Sequence, residues 1–181
     1  MKRKNRPRFQ FLLKDTVDLA RRRSGQTLPR HLACAPMQRT FALIKPDAVA
    51  AGKHGAIIGQ IEKAGLRIVA IKSLRLNRVQ AIGFYHVHSE KPFFADLINF
   101  MCEGPIVATV FEHEIAISKW RELMGPTNPA EAPKYTIRGQ FGTNIERNAV
   151  HGSDALDTAA FEIGYFFSGL ELSNAQIISS C

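Results

Sequence analysis

The chain of 181 residues has a formal net charge of +8, but residues 1–36 hold ten Lys/Arg against two Asp, while residues 37–181 hold fourteen Lys/Arg against fourteen Asp/Glu. The excess charge is thus a basic head on a neutral body, which is no argument for a nucleic-acid-binding domain, and a body of this length suits one hydrophobic core rather than two. No run of about 18 apolar residues predicts a transmembrane helix, and three widely spaced cysteines (Cys34, Cys102, Cys181) argue against a disulfide framework and for a reducing, cytoplasmic compartment.

The head, residues 1–36, admits three readings. It is Arg-rich and acid-poor like a transit segment, although Ser24 is its only serine. It is charged enough to act as an electrostatic arm toward phosphates or anionic lipid, and any nucleic-acid contact falls to it. The preferred reading is a disordered extension, or one outside the natural product, because charged, proline-bearing termini seldom pack. Met37 then opens the body, residues 37–181.

In the body, Thr40–Ile44 reads as a strand stopped by a turn at Lys45-Pro46-Asp47. Ile57, Ile58, Ile61 and Ala64 recur at helical spacing, and Gly65 ends that helix. Leu66–Leu76 is strand-like, and Asn77 caps a helix running to about Val87. Pro92 fits the first turn of a helix to Met101, which Gly104-Pro105 breaks. Ile106–Phe111 is a buried strand and Glu114–Met124 an amphipathic helix. Residues 125–147, with Gly125, Pro126, Pro129 and Pro133, show little periodicity, and so long a loop in a compact domain is usually functional. A short apolar approach, Ala149–His151, precedes Gly152-Ser153-Asp154, where Ser153 and Asp154 are residues of the helix-capping type, and a helix over 155–166. The order predicts an α+β, ferredoxin-like βαββαβ antiparallel sheet with helices packed on it, an inserted helix pair and a long active-site loop.

Several chemistries lack their signatures. Neither G-x-x-x-x-G-K-[ST] nor G-x-G-x-x-G occurs. His113-Glu114 starts like a zincin helix but has Ile117 where the second His belongs, and a helix would splay His86 and His88 apart. The informative stretch is Asn148-Ala149-Val150-His151-Gly152-Ser153-Asp154. His151 ends an apolar strand, Gly152 lets a bulky partner approach the ring, and Glu162 on the next helix can bond one ring nitrogen and leave the other nucleophilic. Taken alone, a His at such a turn is more often packed or exposed than catalytic. Lys45, Arg121 and Arg138, however, stand at element ends flanking it, and converging cations beside a His suit a phosphate chain. Phe93 can offer a face to a base, while Phe94 belongs to the core.

These residues resemble the nucleoside diphosphate kinase family, from about Arg39 to about Leu172. Thr40–Asp47, Lys91-Pro92-Phe93-Phe94, Gly104-Pro105, Thr127-Asn128-Pro129-Ala130, Thr136-Ile137-Arg138-Gly139 and Asn148–Asp154 are similar to its motifs, in order and at its spacing. The resemblance implies transfer of the terminal phosphate of a nucleoside triphosphate, ATP as donor, to a nucleoside diphosphate, in ping-pong fashion through phospho-His151. It implies that Glu162 orients the ring and Ser153 supports it. Lys45 and Tyr85 match residues near the transferred group. Arg121, Thr127 and Arg138 match those on the distal phosphates. Asn148, with Lys45, matches contacts to the ribose, and Phe93 and Ile145 match the two faces about the base. It further implies Mg²⁺ carried by the nucleotide phosphates and a homo-oligomer, tetramer or hexamer. The rival expectations are an inactive scaffold of the same family and a nucleic-acid-binding protein using the head.

Overall fold

The structure, a computed structural model, describes residues 37–173. The basic head, with Cys34, and the C-terminal Cys181 lie outside the described residues.

Four strands form one antiparallel sheet in the order β2-β3-β1-β4. They are β1 (Gln38–Ile44), β2 (Arg67–Arg75), β3 (Pro105–His113) and β4 (Val150–Gly152). Every neighbouring pair is antiparallel, so β1 and β2 run the same way with β3 between them, which is the ferredoxin-like arrangement. The helices are α1 (Pro46–Ala50), α2 (His54–Lys63), α3 (Arg78–Phe84), α4 (Phe94–Cys102), α5 (Ala116–Met124), α6 (Ile137–Phe141), α7 (Leu156–Phe166) and α8 (Gly169–Ser173).

The central strands are buried on both faces. Phe41 and Leu43 of β1 point into one cluster with Phe84, Ile98, Met101, Ile163 and Phe166 from α3, α4 and α7. Ala42 and Ile44, one residue out of step, point into a second cluster with Ile57, Ile61, Trp120, Met124 and Ile137 from α2, α5 and α6. The period-two alternation of a strand sorts its side chains between these two cores. The inserted pair α3–α4 therefore shields, with α7, the face that the other helices leave bare. Residues 106–112 are all buried, which accounts for the continuous apolar run in the sequence. At the sheet edge, no residue of β2 is fully buried, and past a register shift between Ile68 and Ala70 exposed and half-buried residues alternate over 71–75.

Local signals set most helix ends. Asn77 accepts from the Gln80 amide at 2.9 Å, and Gln80 Oε1 accepts from the Asn77 amide at 3.0 Å, a reciprocal cap worth about 1 kcal/mol. Gly65, at φ +77°, ends the turn after α2 in the left-handed region.

Four expectations change. Lys45-Pro46-Asp47 is not only a turn: Pro46 opens α1, where a proline loses no helix bond. The helix after Asn77 stops at Phe84, and residues 86–88 form a separate 3-10 turn. The next helix starts at Phe94, with Phe93 as its N-cap and Pro92 outside it. The stretch 125–147 contains a 3-10 turn at Pro129–Glu131 and the short α6, capped by Thr136 Oγ1, which accepts from the Gly139 amide at 3.2 Å.

Candidate active site

The β1/β4 register builds the site. Leu43 pairs with His151 and Ile44 with Val150. One step further, the Lys45 amide donates to the Ala149 carbonyl at 2.8 Å. Lys45, just past the end of β1, is thereby set beside Asn148, and Lys45 Nζ donates to Asn148 Oδ1 at 2.6 Å and to the Glu146 carbonyl at 3.3 Å. Asn148 Nδ2 donates in turn to the Thr127 carbonyl at 3.0 Å.

His151 projects from β4 with its side chain 22% exposed, against the edge-on rings of Phe84 (centroids 5.5 Å) and Tyr85 (5.9 Å). Its Nε2 lies 2.8 Å from Glu162 Oε1, and Ser153 Oγ donates to Glu162 Oε2 at 2.5 Å. A carboxylate accepts and does not donate, so the ring carries its proton on Nε2 and a lone pair on Nδ1. Among the described residues nothing hydrogen-bonds Nδ1. Ser153 thus fixes the glutamate that fixes the imidazole, and it is not a helix cap. The cap position of α7 is Ala155, whose amide donates to Thr158 Oγ1 at 3.0 Å, while Asp154 accepts from the Thr158 hydroxyl at 2.8 Å.

Gly152 has a different use from the one its position suggests. A methyl group there would collide with the indole of Trp120, so the glycine admits Trp120 beneath β4 rather than a partner to the His151 ring.

Arg138 is held by two carbonyls: Nη1 donates to Gly125 O at 2.9 Å and Nη2 to Val150 O at 3.0 Å. Gly125 closes α5 at φ +80°, a conformation suited to glycine. Arg138 Nε has no partner among the described residues. Burial, and then the charge of Arg121, lowers the Arg138 pKa to about 10. Burial, then Arg138, lowers Lys45 to about 8, against an opposing pull from Asp47. The three cations of the sequence reading do converge, closely enough to disfavour one another's charge. An anion between them relieves that repulsion.

Tyr85 is fully buried, and its hydroxyl meets Met101 Sδ at 3.6 Å. It meets His151 with its ring, and its phenol does not face the opening. Burial, then the charge of Glu162, pushes its pKa up. Phe93 and Ile145 are exposed, at 47% and 61%, and Arg121 and Thr127 are exposed as well. The turn carrying Ile145 is ordered by Asn144 Oδ1, which accepts from the amides of Glu146 at 3.0 Å and Arg147 at 2.8 Å. Arg147 fastens that turn to both carboxylate oxygens of Glu103, each at 2.8 Å, and lies over the Phe100 ring.

Two neighbours escape a reading by motif. His88 lies between the rings of Tyr85 (6.3 Å) and Phe93 (6.0 Å). Burial, followed by the charge of His151, holds its pKa down. In the sequence it figures only in the His86/His88 pair, whose spacing on a helix argues against a shared metal. The structure separates the two, since His86 packs on Phe161 instead. Asp47 accepts from the Ala149 amide at 3.0 Å across 102 residues of chain, a partnership with no local signature.

The nucleoside diphosphate kinase family profile matches residues 38–172. The chain belongs to the nucleoside diphosphate kinase family. It is 57% identical over 136 residues to the nucleoside diphosphate kinase of Oleidesulfovibrio alaskensis, covering 75% of this chain and 98% of that one. It is 56% identical over 136 residues to that of Geobacter sulfurreducens, covering 75% and 99%. Among solved structures it is similar to the Aquifex aeolicus nucleoside diphosphate kinase, with a TM-score of 0.74 and 44% identity over 75% of this chain and 99% of that one. It is also similar to the Halobacterium salinarum enzyme in complex with CDP, with a TM-score of 0.72 and 39% identity over 75% and 90%. As a family member the chain is a nucleoside diphosphate kinase, which moves the terminal phosphate of a nucleoside triphosphate to a nucleoside diphosphate.

Proposed function

We propose that His151 Nδ1 is the atom that carries the phosphoryl group in this chain. The observation behind it is the tether of Nε2 to Glu162, which leaves the Nδ1 lone pair free on a strand whose neighbouring residues, Asn148 and Val150, are bonded by Lys45 and Arg138. Nδ1 attacks the terminal phosphorus in line, and the bond to the bridging oxygen breaks as the diphosphate leaves. In the second half-reaction an oxygen of the acceptor diphosphate takes the group and the ring regains its lone pair. One nucleophile serving both halves gives ping-pong kinetics. Lys45 and Arg138 stabilise the charge spread over the equatorial oxygens, with Arg121 and Thr127 on the distal phosphates. Glu162, braced by Ser153, holds the ring and shares the positive charge it gains. Tyr85 supports the ring through its edge. Asn148 and Lys45 take the ribose hydroxyls, and Phe93 and Ile145 take the base. Stacking tolerates any base, because discrimination needs hydrogen bonds to base edges.

Mg²⁺ enters as part of the nucleotide. No group of three or more His, Cys, Asp or Glu among the described residues is placed to hold a metal ion, so the cationic residues Lys45, Arg121 and Arg138 would hold the phosphates and the phosphates would hold the ion. When bound, the ion neutralises charge on the phosphate chain. We assign the catalytic unit to residues 37–181, treat residues 1–36 as an extension, and expect a homo-oligomer, tetramer or hexamer, in the cytoplasm. The edge strand β2, unpaired on its outer side among the described residues and with Ile71 exposed, suits such assembly. No helix among the described residues is long and apolar enough to cross a membrane. N-terminal sequencing of the native protein and its sedimentation test these assignments.

Incubation with terminally labelled ATP tests the central one. The parent protein is expected to form an acid-labile phosphoenzyme that returns its label to a different diphosphate, and His151→Gln to form none. A His151→Gln protein that still forms it overturns the assignment.

A further inference from the structure

Between Asn148 and His151 the backbone makes an unusual turn. The Val150 amide donates to the Asn148 carbonyl at 2.8 Å, closing a three-residue γ-turn with Ala149 at its centre. Ala149 has φ +67° and is the only non-glycine residue with positive φ among the described residues. That form of the γ-turn is the rare, strained one, and an L-residue with a Cβ adopts it at a cost. Ala149 is also fully buried, so water cannot satisfy its peptide groups. Its carbonyl is taken by the Lys45 amide at 2.8 Å and its amide by Asp47 Oδ2 at 3.0 Å. Both partners come from the segment that leaves β1, so the turn is gripped from one side by residues 45–47.

The consequence lies in what flanks the turn. On one side stands Asn148, bonded to Lys45 Nζ; two residues on stands His151. A turn that relaxed to negative φ would re-aim both. Asp47 contributes the one side-chain bond among those at Ala149. Its other oxygen, Oδ1, is buried without a hydrogen-bond partner among the described residues, so the carboxylate is held where one of its two acceptors goes unused. A half-buried carboxylate that keeps one oxygen from both water and partner is there for the bond the other oxygen makes.

We propose that Asp47 is a positioning residue: its carboxylate holds the buried, strained γ-turn at Ala149 and thereby sets Asn148 and His151 in the geometry for phosphoryl transfer. The inference rests on the assignment of His151 as the carrier. Asp47 touches no reacting atom and acts through the backbone of Ala149. Its pull on the Lys45 ammonium is a separate effect of the same charge.

The test uses the full chain in three forms. Asp47→Ala removes the bond, and kcat and the rate of His151 phosphorylation are expected to fall about tenfold or more, the scale of one strained turn released. Asp47→Asn keeps an acceptor oxygen for the Ala149 amide and is expected to retain most of the activity. The decisive form is Asp47→Ala with Ala149→Gly. Glycine takes positive φ without strain, so the second change is expected to recover most of what the first lost. A residue needed only for overall stability gives no such rescue in kcat measured on the folded fraction. Wild-type kinetics in Asp47→Ala, a double variant as slow as the single one, or Asp47→Asn as impaired as Asp47→Ala would each overturn the proposal. Should Asp47→Ala fail to fold, the double variant still decides: folded and active supports it, unfolded refutes it. A parent protein that forms no phosphohistidine would refute the His151 assignment instead, so the two failures are distinguishable.

Discussion

The two halves of the site are built to different standards. Around His151 almost every polar group is committed: Ser153 to Glu162, Glu162 to the imidazole, Asn148 to Lys45 and Thr127, Arg138 to two backbone carbonyls. Lys45, Asn148 and Ser153 are also buried. At the rim, Phe93, Ile145, Arg121 and Thr127 are exposed, and none of their own side chains makes a hydrogen bond among the described residues. Transfer of a charged group is stabilised by dipoles that need not move during the reaction, so rigidity belongs beside phosphorus. Acceptance of different bases needs the opposite, a flat contact with few directional demands.

The contrast makes graded predictions. The largest effect falls on the fixed side: Lys45→Met is expected to lower kcat by about 10²–10³, the usual cost of one preorganised charge, in single-turnover phosphorylation of His151. An effect below tenfold would show that the committed cations are interchangeable. Glu162→Gln keeps the shape and loses the charge that fixes the ring, and a fall of about 10–100-fold in the same assay is expected, as for other partners that orient a histidine. At the rim, Phe93→Ala is expected to raise KM by about tenfold for every nucleotide with little change in kcat, since one stacked ring is lost and no base is favoured. A loss confined to one base would break the comparison, because the rim would then be reading base edges.

The effect that begins smallest, growing only as pH rises, is a titration. Lys45 loses its proton near pH 8, through burial and then Arg138. Activity that needs the ammonium is expected to fall about tenfold per pH unit above about 8 in a pH profile of kcat/KM. Stability moves the other way. The native pKa lies below the unfolded one, so between about 8 and 10.5 the unfolded chain binds more protons and this residue's contribution to stability rises with pH. Below about 8 its charge is a standing cost, one that Lys45→Met removes. A thermal melt of that variant at neutral pH, expected at or above the parent's, checks the sign.

Much of the fold was legible, and the reason is local. Periodicity marked α2 and α5, a continuous apolar run marked β3, the Asn77 cap marked the start of α3, and Gly152-Ser153-Asp154 announced α7. The short elements α1 and α6 were not legible, because about five residues are too few to show a period, and Pro46 reads as a turn until the helix behind it is seen. Of the candidate site, the sequence named His151 with Glu162 and Lys45 with Asn148, and the structure brings each pair into hydrogen-bond contact. Tyr85 did not come through in detail, since only the packing shows that its hydroxyl turns toward Met101.

The sequence by itself determined the class of the chain, its one continuously apolar strand, its neutral body and the histidine before a glycine. Only the tertiary structure decided which imidazole nitrogen is free, why Gly152 must be glycine, and that Asp47 reaches Ala149 across 102 positions. Patterns of hydrophobicity and capping are written within a few residues of where they act. Hydrogen bonds between strand ends depend on a register that the burial of both faces sets, and no stretch of sequence contains that alone.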